Sequence, residues 1–298
     1  MKKFIIVAVM LLSVVTCFGQ DDKTETKNWD KGVTTSLNFS QVAFSNWAAG
    51  GVNSISFNGF VKAFANYNKD KSHWLNNIDL EYGLIRTSDI DYLKKSNDKI
   101  YLESKYGYDL AKKWRLTATF NFLSQLTNGY DYTILDDNGN FKLLSGFMSP
   151  GYIQFGVGFD YLPVDYFTIN LSPLMSRLTV VTIPELRTKY GNAPDQVVRI
   201  GLGAQVGFDF NKEIFKNVTL QTSAKAFFDY LDKQGYNPVV NWDLAVVMQI
   251  NKFMAANIGT SLIWDKNVLV LDTDGDGVYD KSALQFKELL GVGFTFSF

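Results

Sequence analysis

The sequence has little of what most enzymes use for chemistry. Its 298 residues include one cysteine, Cys17, and one histidine, His73. A Ser/His/Asp triad or a multi-histidine metal centre cannot be assembled from this inventory, and a disulfide framework needs more than one cysteine. His73 is predicted to be an interfacial surface residue. We therefore expect no enzyme activity.

Two further features are absent. Lys and Arg number 29 against 30 Asp and Glu, for a net charge of −1, so the basic excess of a nucleic-acid-binding protein is missing. No apolar run reaches the ~20 residues that a membrane-spanning helix needs. Proline is also scarce, with 6 residues, which suits many uninterrupted strands.

The longest apolar run lies at the amino terminus. Lys2 and Lys3 precede residues 4–15, and a small-residue site follows at residues 17–19. This order predicts a signal peptide over residues 1–19, cleaved after Gly19. A lipoprotein modified at Cys17 is the alternative, although the threonine before the cysteine fits that motif poorly. A polar periplasmic lead-in is expected over residues 20–30, followed by a barrel domain over residues 31–298.

Apolar and polar residues alternate through most of the remaining chain. In residues 198–210 every second side chain is apolar, and the intervening ones are polar or glycine. The last strand alternates in the same way and ends on Phe298. An apolar face toward lipid and a polar face toward a lumen are typical of outer-membrane barrels. The predicted fold is all-β, a single closed antiparallel transmembrane barrel of about twelve strands.

The connections between the predicted strands alternate between short and long. Bacterial barrels have short periplasmic turns and long outer loops, and an even strand number puts both termini in the periplasm. We therefore predict location in the outer membrane. The expected strands lie near 31–45, 53–67, 73–87, 99–110, 114–126, 151–161, 166–175, 197–210, 218–231, 239–250, 254–264 and 283–298.

Aromatic residues cluster at the ends of these runs, as expected for the interfacial girdles of a membrane barrel. The predicted periplasmic girdle contains Tyr67, Trp74, Trp114, Tyr161, Phe167, Phe215, Phe253 and Phe298, and the outer one Tyr152, Tyr230 and Trp264.

The polar faces of the strands carry a balanced set of charges, six basic and six acidic. Enclosed charges must pair or stay hydrated, so either a network that fills the interior or a narrow solute path beside it would fit. Glycines on the same faces could leave room for such a path or only ease strand curvature. The predicted lumen charges are Lys62, Asp79, Glu81, Glu103, Lys105, Arg115, Asp160, Arg199, Asp209, Lys225, Asp243 and Lys287.

An aspartate-rich loop near the carboxyl terminus has the spacing of a calcium loop. Its candidate ligands are the side chains of Asp272, Asp274, Asp276 and Asp280 and the carbonyl of Val278. The glutamate that closes an EF-hand is missing. A plain acidic, glycine-rich loop is the alternative, and calcium is the only cofactor that the sequence suggests.

Four motifs resemble the domain of unknown function family 3078. They are Trp-Ala-Ala-Gly-Gly-Val-Asn-Ser at 47–54, Trp-Leu-Asn-Asn-Ile-Asp-Leu-Glu-Tyr-Gly at 74–83, the aspartate loop at 272–280, and Leu-Gln-Phe-Lys-Glu-Leu-Leu-Gly-Val-Gly at 284–293. The resemblance implies an outer-membrane barrel of a Bacteroidetes-type envelope. It implies no activity and no catalytic residue.

Two functions fit these features. The first is a narrow channel or transporter for small solutes. The second is a non-transporting envelope protein whose outer loops bind a partner or stabilise the surface. The expected partners are the lipid bilayer and the outer-membrane insertion machinery. No nucleic acid is expected, and the sequence identifies no protein partner.

Overall fold

The computed structural model describes residues 28–43, 52–88, 92–135, 139–232, 237–275 and 277–297. The predicted signal peptide, most of the lead-in, residues 44–51 with Trp47, and also Asp276 and Phe298 lie outside the described residues. Within the described part, nearly all regular structure is β-strand. The strands are β1 (Trp29–Val42), β2 (Ser54–Lys69), β3 (Ser72–Thr87), β4 (Lys94–Ala111), β5 (Trp114–Ser124), β6 (Gly129–Leu135), β7 (Phe141–Ser145), β8 (Gly151–Val164), β9 (Phe167–Val180), β10 (Val198–Phe215), β11 (Val218–Asp229), β12 (Val239–Gln249), β13 (Met254–Trp264) and β14 (Gln285–Ser297).

Twelve of these strands form a closed barrel in the order β1-β14-β13-β12-β11-β10-β9-β8-β5-β4-β3-β2. Every neighbouring pair is antiparallel, and β1 closes the ring against β14 from Thr34 opposite Ser297 to Asn38 opposite Gly293. The predicted twelve-stranded barrel is confirmed. β6 and β7, which were not predicted, form a separate hairpin in the long connection between β5 and β8.

The connections alternate in length around the ring. Tight turns at residues 70–71, 112–113, 165–166 and 216–217 and the short connection at 250–253 lie at one rim, and the long loops lie at the other. We call these the short-turn rim and the long-loop rim. β1 begins and β14 ends at the short-turn rim, since Trp29 pairs with Tyr67 and Ser297 pairs with Thr34.

The outer wall is apolar. On β10, Ile200 is 61% exposed, and on β14 Leu290 is 71% exposed, although both side chains are large and apolar. On β10, residues that alternate with the exposed apolar ones, such as Gln205, are buried on the inner face. The strand period of two therefore points the apolar face away from the lumen.

Aromatic rings gather at the short-turn rim. Trp29 packs against both Tyr67 and Trp74, and Trp114 packs against Tyr161, with ring centroids 4.9–6.0 Å apart. Trp74 and Trp114 are 42% and 40% exposed on the outer wall. At the opposite rim Tyr230 and Trp264 hydrogen-bond to Pro173 and Asn237. Tyr152 differs from the prediction: it points inward and stacks under Arg177, 4.7 Å from the ring centroid.

Glycines on the inner face let adjacent backbones approach closely. A Cβ on Gly203 would overlap the carbonyl of Phe228 on the next strand, and one on Gly158 would overlap the carbonyl of Leu171. Both positions lie beside strands where the register shifts. These glycines therefore permit tight curvature of the sheet rather than open a path.

Three long loops pack together above the barrel and form what we call the outer cap. It contains β6, β7, the two 3-10 turns Pro184–Leu186 and Thr188–Tyr190, and residues 265–271. Val181, Leu186, Tyr190 and Val268 are its buried apolar core. Among the described residues, no helix is long and apolar enough to cross a bilayer.

Candidate functional site: the charged lumen

The inner face of the barrel holds the predicted charges. All twelve lie at strand positions opposite the exposed apolar side chains, and most make ion pairs with one another or with further inward charges. The structure thus brings these residues together in one enclosed space. Their contacts divide them into two packed clusters, one bridge across the lumen and a hydrated wall.

Glu81 on β3 is the centre of the first cluster. Its carboxylate lies 3.1 Å from Nζ of Lys99 on β4 and 3.7 Å from Nζ of Lys287 on β14, and it accepts a hydrogen bond of 2.9 Å from Asn97. Asp79 lies 4.0 Å from the same Lys99 nitrogen. Because β3 and β14 are three strands apart in the ring, the Glu81–Lys287 pair spans a chord of the lumen.

Among the described residues, one ion pair crosses the middle of the barrel. Nζ of Lys225 on β11 lies 3.6 Å from the carboxylate of Glu103 on β4, and Asn77 donates a further hydrogen bond of 3.2 Å to Glu103. The two strands are five positions apart in a ring of twelve, so they stand on nearly opposite walls. This pair narrows the lumen, and both charges are compensated by the contact.

The second cluster fills the short-turn end. Lys105 lies 2.5 Å from Asp160, which also accepts a hydrogen bond of 2.7 Å from Asn170. Beside it, Asp109 accepts hydrogen bonds of 2.7 Å from both Arg115 and His73. His73 was predicted to lie at the interfacial surface, but it faces inward and is held by Asp109 and Asn68.

The opposite inner wall is open to water. Lys62 on β2, Asp209 on β10, Asp243 on β12 and Lys287 on β14 are exposed, although the barrel encloses them. Asp243 accepts a hydrogen bond of 2.5 Å from Ser261 on the neighbouring strand. Packed side chains therefore occupy the side formed by β3, β4, β5 and β8, and the four exposed charges mark accessible space along β2, β10, β12 and β14. Solvent-accessible space therefore remains beside the packed network.

Several residues of the site were missed at the sequence level. Lys99 lies within the expected strand at 99–110 and shares the inward parity of Glu103 and Lys105, so the alternation already predicted its inward position. Arg177 was missed because the seventh strand was expected to end near residue 175, whereas β9 continues to Val180. Its partner Asp265 lies in a loop, where no periodic signal exists. The contact itself, 2.9 Å between Arg177 and Asp265, links residues 88 positions apart.

The remaining predicted lumen charge, Arg199, lies at the long-loop end of β10. It has no ion pair among the described residues. Its Nε and Nη2 atoms are buried and lack a hydrogen-bond partner there. It borders a cavity that also exposes Arg177.

The aspartate loop folds around its own backbone. Asp272 accepts hydrogen bonds of 2.7 Å from the amides of Gly275 and Gly277, and both glycines have positive φ angles of 80° and 84°. Asp280 accepts a hydrogen bond of 3.2 Å from the amide of Thr273. Asp274 and Val278 belong to the same loop. Among the described residues, no group of His, Cys, Asp or Glu side chains is arranged to hold a metal, so calcium binding stays a prediction.

The aspartate loop also touches the outer cap. Tyr279 donates a hydrogen bond of 2.8 Å to Asp131 on β6, and its ring lies 4.6 Å from Nζ of both Lys142 and Lys189. Burial, together with the hydrogen bond to Asp131 and its charge, raises the pKa of Tyr279 to about 12. Burial, together with the nearby charge of Lys142, lowers the pKa of Lys189 to about 8.

Comparison with known proteins identifies a family match over part of the chain. The model of the family described as Protein of unknown function (DUF3078) matches residues 39–130. The resemblance is confirmed there, for the motifs at 47–54 and 74–83. The motifs at 272–280 and 284–293 lie outside the matched segment. No curated protein is significantly similar to the sequence.

Solved structures with similar folds are outer-membrane barrels of low sequence identity. The translocator domain of the autotransporter NalP from Neisseria meningitidis is 11% identical, with a TM-score of 0.42, over 99% of this chain and 98% of that one. The COG4313 outer membrane channel from Pseudomonas putida F1 is also 11% identical, with a TM-score of 0.42, over 91% and 96%. The Pseudomonas putida toluene transporter TodX is 9% identical, with a TM-score of 0.33, over 91% and 88%. At these TM-scores the likeness carries no functional conclusion.

Proposed function

We propose that this protein is an outer-membrane barrel that passes small hydrophilic solutes through its lumen. The observation that carries the proposal is the hydrated inner wall. Lys62, Asp209, Asp243 and Lys287 are exposed inside a closed ring of strands. Charges of both signs line this space, so the expected selectivity between cations and anions is weak.

The proposal includes location and orientation. An apolar outer wall with an aromatic girdle at the short-turn rim suits a bilayer, because the exposed apolar side chains then contact acyl chains instead of water. We infer that the leader over residues 1–19 directs export and that the insertion machinery assembles the barrel with both termini in the periplasm. Purified mature protein should then need detergent to stay monodisperse. A stable monomer in plain buffer would contradict the membrane assignment.

Single-channel recording in planar bilayers tests the transport proposal. Refolded protein whose barrel survives unheated gel electrophoresis should give discrete conductance steps. The variant Glu103→Ala/Lys225→Ala removes the bridge across the lumen and should give larger steps, whereas Lys252→Gln in a short turn should match the wild type. Folded protein without conductance would overturn the proposal.

A second function is favoured by the outer cap. The three long loops enclose an apolar core of their own and are not simply polar connections. This order suits a surface that binds a partner. If a variant in which residues 127–147 are replaced by a short Gly-Ser linker conducts like the wild type, the cap serves something other than permeation. If it conducts differently, the cap belongs to the channel.

A further inference from the structure

The outside of the short-turn rim is rich in lysine. Eight exposed lysines lie in the tight turns or at the strand ends beside them, against four exposed acidic residues, Asp30, Asp70, Asp165 and Glu213. Among the described residues, none of the eight lysines makes an ion pair. We call this set the lysine ring, and it consists of Lys31, Lys69, Lys71, Lys112, Lys113, Lys212, Lys216 and Lys252.

The lysine ring extends around the whole barrel. Its members lie at the β2–β3, β4–β5 and β10–β11 turns, in the β12–β13 connection and at the start of β1. The β8–β9 turn has no lysine of its own. Lys212 on the neighbouring β10 reaches that turn, because its Nζ atom lies 3.9 Å from the ring centroid of Tyr166. Positive charge is therefore distributed around the rim and is not concentrated on one side.

Three of these lysines share the outer wall with aromatic side chains. Each lies two residues from an aromatic residue on its own strand, so the strand period of two places both on the same face. The pairs are Trp29 with Lys31, Tyr67 with Lys69, and Phe210 with Lys212. Lys31 starts farther from the rim than Trp29, yet its Nζ atom reaches back to 5.5 Å from the Trp29 ring centroid. Lysines extend in this way when an apolar stem lies along an apolar surface and the charge turns toward water or headgroups.

The lysine ring lies at the level that lipid headgroups occupy. An aromatic belt marks the boundary between hydrocarbon and headgroups, and the ammonium groups lie at this belt or on the turns beyond it. Lysines at this depth attract anionic headgroups. A cell-wall polymer could approach the turns, but lipid surrounds the outer wall that carries Lys31 and Lys212. A continuous ring of charge also fits a surrounding leaflet better than a protein docked on one side.

The opposite rim has the reverse balance of charge. In the sequence, acidic residues outnumber basic ones in the connections of the long-loop rim. Lys95 and Lys266 at that rim are paired with Asp98 and Asp232. The two rims of the barrel therefore differ in charge, and the exposed side chains of the short-turn rim are the ones that favour an anionic surface.

We propose that the lysine ring binds the headgroups of anionic phospholipids, with phosphatidylglycerol as the representative chemistry, in the leaflet around the short-turn rim. The ammonium groups contact the headgroup phosphates, and the girdle aromatics pack against the glycerol and the upper acyl chains. This inference rests on the proposed membrane location. It does not depend on solute passage, so a barrel without conductance would bind these lipids in the same way.

Quenching of tryptophan fluorescence tests the proposal, because Trp29, Trp74 and Trp114 lie at the same rim. The full mature chain is placed in vesicles of one part phosphatidylglycerol to four parts phosphatidylcholine, with brominated acyl chains on one lipid or the other. Quenching then gives the relative affinity of the two lipids for the barrel surface. The wild type should prefer phosphatidylglycerol by about fivefold, as expected for one ammonium group per headgroup. Added salt should weaken the preference by screening.

Two variants of the lysines nearest these tryptophans separate charge from shape. The first, in which the preference should be largely lost, is Lys31→Gln/Lys69→Gln/Lys71→Gln/Lys112→Gln/Lys113→Gln. Arginine at the same five positions keeps the charge and should keep the preference. Lys94→Gln/Lys142→Gln/Lys281→Gln removes positive charge near the long-loop rim and should behave like the wild type.

Each variant is first checked for a folded barrel by its unheated gel mobility. Insertion into vesicles of phosphatidylcholine alone tests the membrane location separately. A wild-type barrel that inserts there but binds both lipids equally would overturn the proposal and leave the location intact. An equal lipid preference in the wild type and the folded five-glutamine variant would overturn it as well. Sedimentation of the wild type but not this variant with purified peptidoglycan, without any lipid preference, would assign the lysines to the cell wall instead.

Discussion

The pair formed by Arg177 and Asp265 should hold the outer cap to the barrel. Arg177 lies on β9 and Asp265 begins the loop that enters the cap, and their side chains are joined at 2.9 Å. The two residues are 8% and 1% exposed. Asp265→Leu would leave a buried guanidinium without its counter-ion, which costs about 3–5 kcal/mol. If the cap opens locally, this loss corresponds to a rise in its opening equilibrium of about a hundredfold or more.

Hydrogen exchange followed by mass spectrometry measures this opening. Amides of residues 181–192 and 265–271 should exchange about a hundredfold faster or more in Asp265→Leu, as follows from the same 3–5 kcal/mol. The double variant Arg177→Met/Asp265→Leu should recover most of the protection, because an apolar pair of similar volume has no unpaired charge. Peptides of β2 and β3 on the far wall serve as an internal control.

The pH dependence supplies a second check. Burial by itself would raise the pKa of Asp265, but Arg177 and the amide of Asn267 outweigh it and hold the pKa below its usual value. A carboxyl group of this kind stabilises the folded state above its unfolded pKa of about 3.9, and the contribution is lost as the pH falls through the folded value. After correction for intrinsic exchange, cap protection in the wild type should fall only below about pH 4. Unchanged exchange in Asp265→Leu would refute the reasoning.

Three further predictions concern the lumen, the cap and the aspartate loop. Asp209→Asn/Asp243→Asn removes two exposed lumen carboxylates. The chloride-to-potassium permeability ratio should shift by roughly threefold toward chloride, because about 0.6 kcal/mol of attraction for the cation is lost. An unchanged reversal potential in a salt gradient would count against a path along this wall. Lys189, which faces Lys142, Asp131 and the ring of Tyr279, has a pKa lowered to about 8, so the folded cap disfavours its charged form. Cap protection should therefore rise between pH 8 and about 10.4, the unfolded value, and Lys189→Met should abolish this rise in exchange experiments. If the aspartate loop binds calcium, titration calorimetry should give a dissociation constant of about 10⁻⁴–10⁻³ M, and equal binding by Asp274→Ala/Asp276→Ala would end that hypothesis.

The barrel was predictable because its strongest signal is local. Alternation over β10, β8 and β14 assigns an inner and an outer face without any knowledge of the neighbouring strands. Loop lengths then distinguish the short-turn rim from the long-loop rim. The hairpin of β6 and β7 was missed because its strands are short, with 7 and 5 residues, and lie inside a connection that was long enough to be read as one loop.

The partners inside the lumen were not predictable in the same way. Glu103 and Lys225 meet because they project into the lumen from nearly opposite walls of the ring. The distance between the two side chains cannot be inferred from their separation in the sequence. The inward position of Tyr152 has a similar cause. It is an aromatic at a strand end, which suits an interfacial girdle, but its register opposite Thr179 places it on the inner face under Arg177. For Tyr152, the alternation of inner and outer positions predicts the direction of the side chain better than its place near the end of the strand does.

The junction between the first and last strands differs from the rest of the wall. Pairing stops at Asn38 opposite Gly293, although β1 continues to Val42 and β14 extends back to Gln285. Residues 39–42 of β1 and 289–292 of β14 are therefore not paired with each other in the ladder. Local opening of the barrel should begin at this unpaired part of the junction. Its amides should therefore be the first of the barrel strands to exchange hydrogen with solvent.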